Sequence, residues 1–259
     1  MGRSHGSDVR RRARDAATPR GMGARSAGGH TAPMTGTGDA AARARQSMVD
    51  RQLRSRGVTD ERVLDAMCRV PRERFVRAGG VEGAYADAAL PIASGQTISQ
   101  PYIVARMTEL LRVMAGDRVL EVGTGSGYQA AILAALGCHV TTIERHERLA
   151  AEARQTLVQE GFGDLVEVRQ GDGSLGDPDG APWDGILVTA GGPVIPDTLR
   201  EQLGIGRRLV IPVGPREHQD LMVVTRRSAS DWTEVSDGPV VFVPLVGLGG
   251  WDDRGGWTA

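Results

Sequence analysis

The sequence predicts an α/β fold: a doubly wound, mostly parallel sheet with an antiparallel C-terminal edge and extra helices before it. Three observations predict this. Short β-rich runs alternate with helical periodicity between residues 118 and 213, a Gly-rich turn follows the first of those runs, and the last two β-rich runs have no helix between them.

Residues 1–45 are mostly Gly, Ala, Arg, Ser and Thr, and after Met1 their only large apolar side chains are Val9, Met22 and Met34. Such a segment buries too little apolar surface to offset the entropy of ordering its backbone. The expectation is a disordered Arg/Gly/Ala-rich tail over 1–45 and a folded domain over 46–259. Arg10-Arg11-Arg12 is not followed by the apolar stretch an export signal needs, which leaves a solvated arm, or sequence upstream of a start at Met34 or Met48.

From Ser47 the spacing of Met48, Val49 and Leu53 predicts an amphipathic helix that Gly57 closes. A second helix is expected from Thr59, read as its N-cap, with Asp60 and Glu61 in the first turn, Val63, Leu64 and Met67 facing inward, and Pro71 ending it. Residues 83–100 hold neither a helical nor a strand period and are long for a connection, the kind of ordered loop that carries function. Next comes a helix from Pro101 with Ile103, Val104, Met107, Leu110 and Leu111 on one face; Ser99 stands just ahead of it, where a serine can serve as an ordinary N-cap.

The alternating part then reads as a strand at Arg118 to Val122, a helix at Tyr128 to Leu136, a strand at His139 to Ile143 and a helix at Glu147 to Gln159. Strands follow at Leu165 to Arg169 and Gly185 to Thr189, then a short helix at Asp197 to Leu203 and a strand at Arg208 to Val213. Leu221 to Thr225 and Val240 to Val246 are expected to pair antiparallel at one edge of the sheet.

Composition excludes several function classes. A formal net charge of -1 argues against a nucleic-acid-binding surface on the folded part. Cys68 and Cys138 are too few for a disulfide framework and read as reduced thiols of a cytoplasmic protein. The five histidines show no metal-ligand spacing. No apolar run approaches the ~20 residues of a membrane span.

The segment Val119-Leu120-Glu121-Val122-Gly123-Thr124-Gly125-Ser126-Gly127 carries the most chemistry. An apolar strand running into a Gly-rich turn that opens a helix places a ligand at the carboxyl end of the sheet, and Gly123, Gly125 and Gly127 let the backbone approach it closely. A dinucleotide fingerprint needs its third glycine where Tyr128 stands, so the spacing is G-x-G-x-G instead. An acid at Glu121 suits a cofactor with a cationic methionyl end better than a pyrophosphate, which points to S-adenosyl-L-methionine. Glu144 closes the second strand, where a carboxylate can accept both ribose hydroxyls, with Arg145 beside it; Asp172, in Gly171-Asp172-Gly173 after the third strand, can accept the adenine amino group. Each feature alone has a plainer reading, as a glycine bend, a solvated charge or a turn residue; three acids closing three successive strands point to a cofactor site.

Tyr85-Ala86-Asp87-Ala88-Ala89-Leu90-Pro91-Ile92 leading to Gly95-Gln96-Thr97-Ile98-Ser99-Gln100-Pro101 resembles the signature loop of the protein-L-isoaspartate O-methyltransferase family. Glu121 to Gly127, Gly171-Asp172-Gly173, Ile211-Pro212-Val213-Gly214-Pro215 and Phe242-Val243-Pro244-Leu245 resemble further motifs of that family, in its order, over roughly 47–247. The resemblance implies a Rossmann-like class I methyltransferase that uses S-adenosyl-L-methionine to esterify the free α-carboxylate of L-isoaspartyl residues. The ester cyclises to a succinimide, and hydrolysis returns part of it to aspartate. By the same resemblance Ser99 matches the serine regarded as catalytic, Gln96, Thr97 and Ile98 match neighbours lining cofactor and substrate, and Glu144 and Asp172-Gly173 match cofactor contacts. The partners implied are damaged proteins and peptides, with no metal, membrane or nucleic acid. Ala89 and Ala93-Ser94 stand where the family usually has Pro and Gly, Gly204-Ile205-Gly206-Arg207 replaces a Pro-Gly-Gly turn, and the Trp-containing C-terminus has no assigned role.

An ionised carboxylate acceptor and an activated methyl need no general base, so Ser99 is expected to orient the acceptor rather than attack it. Two other functions fit parts of the sequence: tailoring methylation of an Asp in a ribosomally made precursor peptide, and non-catalytic cofactor or RNA binding, which only the Arg-rich tail supports.

Overall fold

A computed structural model describes residues 36–76, 80–252 and 254. Its first helix, α1 (Gly36–Met48), starts well upstream of the boundary expected at 45/46. Ala and Arg are strong helix formers, and the helix is held by a polar clamp that an apolar-periodicity search does not see. Arg45 Nε donates to the Tyr85 hydroxyl (3.0 Å), its Nη1 to the Arg69 carbonyl (2.9 Å), and Ala41 and Met48 are buried. Residues 1–35 of the expected tail lie outside the described residues.

A π-helical turn (Val49–Leu53) and a 3-10 turn (Arg54–Arg56) prolong α1 until Gly57 ends it at φ 89°, a left-handed conformation that glycine adopts without a Cβ clash. Helix α2 (Glu61–Arg69) is capped by Asp60, whose carboxylate accepts the Arg62 N–H (3.0 Å), one residue later than the Thr59 cap expected from sequence; Thr59 N donates to Glu109 instead.

Residues 83–100 prove partly regular. A short helix α3 (Gly80–Ala84) precedes a two-stranded ladder of β1 (Leu90–Pro91) against β2 (Thr97–Ile98), joined through left-handed Ser94 (φ 58°) and Gly95 (φ 67°). Helix α4 (Pro101–Leu111) starts with proline in its first turn. Gln100, not Ser99, is its N-cap, and no side chain bonds there. Of the face expected to be apolar, Val104, Met107 and Leu111 are buried, while Ile103 and Leu110 are half-buried.

The sheet follows: β3 (Arg118–Val122), α5 (Tyr128–Ala135), β4 (His139–Glu144), α6 (Glu147–Gln159), β5 (Val166–Gln170), β6 (Trp183–Val188), α7 (Asp197–Gln202), β7 (Leu203–Val213), β8 (Gln219–Arg226) and β9 (Trp232–Val240). Strand order is β5-β4-β3-β6-β7-β8-β9, parallel from β5 to β7 and antiparallel beyond. The chain turns from β3 first to β4 on one side and later to β6 on the other, which opens a crevice at the carboxyl end of β3.

Side chains alternate across the sheet, so each strand feeds two cores. Val119, Val140, Leu187 and Val210 join the helices α1, α2, α4 and α5 in one core, and Leu120, Val122, Ile186, Val188 and Ile211 join Leu199 of α7 in the other.

The antiparallel edge uses a different partner from the one expected. β8 pairs with Trp232–Val240, not with Val240 to Val246. β9 is mostly exposed, and its Glu234, Ser236, Asp237 and Gly238 give it no apolar face to read. The apolar run after Val240 leaves the sheet and crosses above the crevice, touching it through a bridge between Gly191 and Pro244.

Candidate active site

Where β3 ends, Gly123 (φ 94°) and Gly125 (φ 53°) turn the chain into α5 through left-handed backbone. At Gly123 a side chain would run into the Thr189 hydroxyl, which donates to the Val122 and Gly123 carbonyls (3.0 and 2.6 Å). The turn thus lies flat against the end of β6, and its backbone faces a cavity of about 220 Å³, an order of magnitude above what a single water requires.

Glu144 ends β4 at the cavity wall and is 5 % exposed. One oxygen accepts the Gly125 N–H (3.0 Å) and the other the His146 N–H (2.9 Å), so the carboxylate is locked to the glycine turn. Each oxygen keeps a second lone pair for an outside donor, and a pair of neighbouring hydroxyls such as a ribose presents is the natural complement.

Most of the residues read from sequence meet around this cavity. Gln96, Thr97, Ile98 and Ser99 line it from β2 and the entry to α4, Gly123 and Gly125 from the turn, and Glu144, Arg145 and Gly173 from the ends of β4 and β5. Ser99 is half-buried, and its carbonyl accepts from Arg72 Nη2 (2.8 Å).

Three of the expected cofactor residues do not line it. Glu121 lies inside β3, 0 % exposed, and by strand alternation faces the α4 and α5 side of the sheet. Neither of its oxygens makes a well-formed hydrogen bond; the hydroxyl of Thr142, opposite it on β4 and bonded to Thr124 (2.7 Å), is the one side-chain donor that bears on it. Burial pushes its carboxyl up to about 8, against a lowering by Thr142 and with a further push from Glu144. Gly127 does not line the cavity either; a Cβ there would press on Leu157 and Ala153 of α6. Asp172 sits in an adjoining recess with Arg145, Val246 and Gly247; one oxygen accepts from Ser174 N and Oγ (3.0 and 2.6 Å) and the other from Leu248 N (2.7 Å). Asp172 therefore ties down the C-terminal segment.

Sequence read Val240 to Val246 as a strand and Phe242 to Leu245 as a family motif, and left the Trp-containing end unassigned. Val243 to Val246 form part of the cavity wall, Gly249 N donates to Ser174 Oγ (2.9 Å), and Trp251 Nε1 donates to the Gly191 carbonyl (3.0 Å). Together these bonds strap the segment against the cavity wall. Thr189 and Ala190, at the end of β6, also line it; their place at the carboxyl end of a strand beside the Gly-rich turn was the available signal. Among the described residues no cluster of His, Cys, Asp and Glu could hold a metal ion, and no helix is long and apolar enough to cross a membrane.

A doubly wound sheet whose switch point carries a Gly-x-Gly-x-Gly turn, a strand-end carboxylate and no dinucleotide spacing defines a Rossmann-like class I methyltransferase, with S-adenosyl-L-methionine as cofactor. Comparison narrows the class. Residues 43–249 match the family model of protein-L-isoaspartate(D-aspartate) O-methyltransferase, and the chain belongs to that family. It is 54 % identical over 209 residues to the protein-L-isoaspartate O-methyltransferase of Methanoregula boonei, covering 81 % of this chain and 95 % of that one. With the protein of the same name from Methanoculleus marisnigri it shares 52 % over 213 residues, 82 % and 96 % of the two chains. A solved protein-L-isoaspartate O-methyltransferase superposes with a TM-score of 0.72 at 26 % identity, over 79 % of this chain and 67 % of that one. A candidate member from Plasmodium falciparum, solved with S-adenosyl-L-homocysteine, shares the fold with a TM-score of 0.66 at 22 % identity, over 78 % and 98 %.

Proposed function

We propose that this chain is a repair methyltransferase that moves a methyl group from S-adenosyl-L-methionine to the free α-carboxylate of L-isoaspartyl residues in damaged proteins and peptides. The observation that carries the reading is that Ser99 and Glu144 lie on the walls of one cavity, with the glycine turn between them. Its working part is the domain from about 46 onward with the α1 helix as a brace, and the compartment is the cytoplasm.

Bound S-adenosyl-L-methionine supplies an already activated methyl group. The chain's own residues do the rest. Glu144 would accept the ribose hydroxyls, Gly123 and Gly125 would admit the methionyl end against bare backbone, Arg145 and Gly173 would border the adenosyl end, and the apolar wall of Val243 to Val246 would keep water from that side. Gln96, Thr97 and Ile98 form the side of the cavity nearest the substrate. Ser99 donates a hydrogen bond to the acceptor carboxylate and turns one of its oxygens toward the methyl. An isoaspartyl α-carboxylate is ionised at neutral pH, so no base has to remove a proton. Alignment of two bound reactants can by itself remove ~7 kcal/mol or more of barrier, enough for a site with this few polar groups.

The test is transfer of labelled methyl from S-adenosyl-L-methionine to paired peptides that differ only in carrying Asp or isoAsp at one position. Base-labile label on the isoAsp peptide alone is expected. Label on the Asp peptide instead would assign the chain to peptide tailoring, and label on neither would remove the methyltransferase reading.

A further inference from the structure

Arg72, between α2 and α3, is 0 % exposed. Its guanidinium bonds two backbone carbonyls and lies over an aromatic ring: Nε donates to the Ala84 carbonyl (2.8 Å) and Nη2 to the Ser99 carbonyl (2.8 Å). Nη1 is buried without a hydrogen-bond partner, and among the described residues no carboxylate pairs with this side chain. The neighbouring acid in sequence, Glu73, is taken by Arg45 and the Tyr85 hydroxyl. The guanidinium carbon lies 4.9 Å from the centre of the Tyr128 ring, and Tyr128 and Ser99 both belong to the cavity wall.

A buried charge without a partner is costly, and tying α3 to the loop before α4 needs only a neutral donor. Burial pulls the guanidinium below its ordinary pKa, yet an arginine stays protonated at neutral pH. A full positive charge therefore stands directly behind the serine, in a medium where charges act strongly on one another. We propose that Arg72 is a positioning residue for the methyl acceptor: it fixes the Ser99 backbone and provides, from behind that residue, the positive charge that the incoming α-carboxylate balances. This rests on the reading of Ser99 as the group that orients the carboxylate. The carboxylate completes an ion pair that the protein alone leaves open, so the site selects an anion, while the serine between the two keeps the guanidinium from gripping the oxygen that must react.

The test compares two peptides binding to the full chain saturated with S-adenosyl-L-homocysteine: one carries L-isoaspartate, the other its neutral α-carboxamide. Wild type is expected to prefer the acid by about tenfold or more. Arg72→Gln, which can keep one backbone bond but has no charge, should lose about tenfold of that preference while its affinity for S-adenosyl-L-homocysteine stays within about twofold. Arg72→Lys keeps the charge and should keep most of the preference, with a lower kcat from a less firmly held Ser99. An unchanged preference in Arg72→Gln, or equal losses in the Gln and Lys variants, overturns the proposal. Methylation is read separately, by wild-type turnover on the same isoaspartyl peptide, so the two readings fail independently. Should Arg72→Gln not fold, salt decides: a buried charge is weakly screened, so the wild-type preference should persist from about 20 mM to about 500 mM salt. Its collapse at high salt would assign the preference to surface arginines and overturn the proposal.

Discussion

Replacing Glu121 by Gln removes the one carboxyl that β3 buries completely, and its effect should be read as a slope against pH. In the folded chain burial holds this group at about 8, against an ordinary value of 4.5. At 1.36 kcal/mol per pKa unit that gap corresponds to a penalty on the order of 5 kcal/mol for the ionised form. Between the two values the folded state keeps a proton that the unfolded chain has released, so stability is greatest below 4.5 and falls as pH rises toward 8. Over the two pH units from 5.5 to 7.5 the wild type should lose about 2.5 kcal/mol relative to Glu121→Gln, because all other titrating groups are shared. Urea unfolding at matched m-values across that range gives the difference directly. A constant offset between the two proteins is expected from the changed group itself and is uninformative. Parallel stability curves would show that Glu121 is ionised and paired in the fold, and would refute the reasoning from burial.

Three further substitutions separate the parts of the site. Ser99→Ala removes a hydrogen bond to a charged acceptor and should lower kcat by about 10- to 100-fold, with binding of S-adenosyl-L-homocysteine unchanged by calorimetry; a rise in KM alone would contradict an orienting role. Glu144→Gln puts a donor where an acceptor is needed and loosens the glycine turn, so the calorimetric Kd for S-adenosyl-L-homocysteine should rise by about tenfold or more. Gly247→Ala would drive a Cβ into the Asp172 carboxylate; the strap should lift, with weaker cofactor binding and near-normal kcat at saturating cofactor, and an unchanged Kd would show that the strap does not bear on the cofactor.

How much of this was legible in the sequence depended on what each residue had to report. Arg118–Val122 and Glu147–Gln159 fall where periodicity put them, because a strand buried on both faces and a helix with Leu149, Ala150, Ala153 and Leu157 on one side leave clear patterns. β9 left none, since an edge strand facing water has no apolar register, and the run after Val240 looked like a strand because a strap along a cavity wall needs apolar side chains too. The acids show the same limit. Sequence gave their place along each strand but not the side: Glu144 comes out at the cavity, whereas Glu121 turns into the sheet under it and Asp172 is taken by Ser174 and Leu248. Arg72 was invisible for a different reason, since nothing in Pro71-Arg72-Glu73 says that the arginine is buried against the Ser99 carbonyl.

The account stands on one cavity holding both the cofactor and the serine. A crystal structure of the chain with S-adenosyl-L-homocysteine and an isoaspartyl peptide tests that most directly. The ribose hydroxyls should lie on Glu144 and the sulfur should face the peptide carboxylate, which Ser99 Oγ holds by a hydrogen bond. A sulfur turned away from Ser99, or a peptide bound on another face of the sheet, would contradict it.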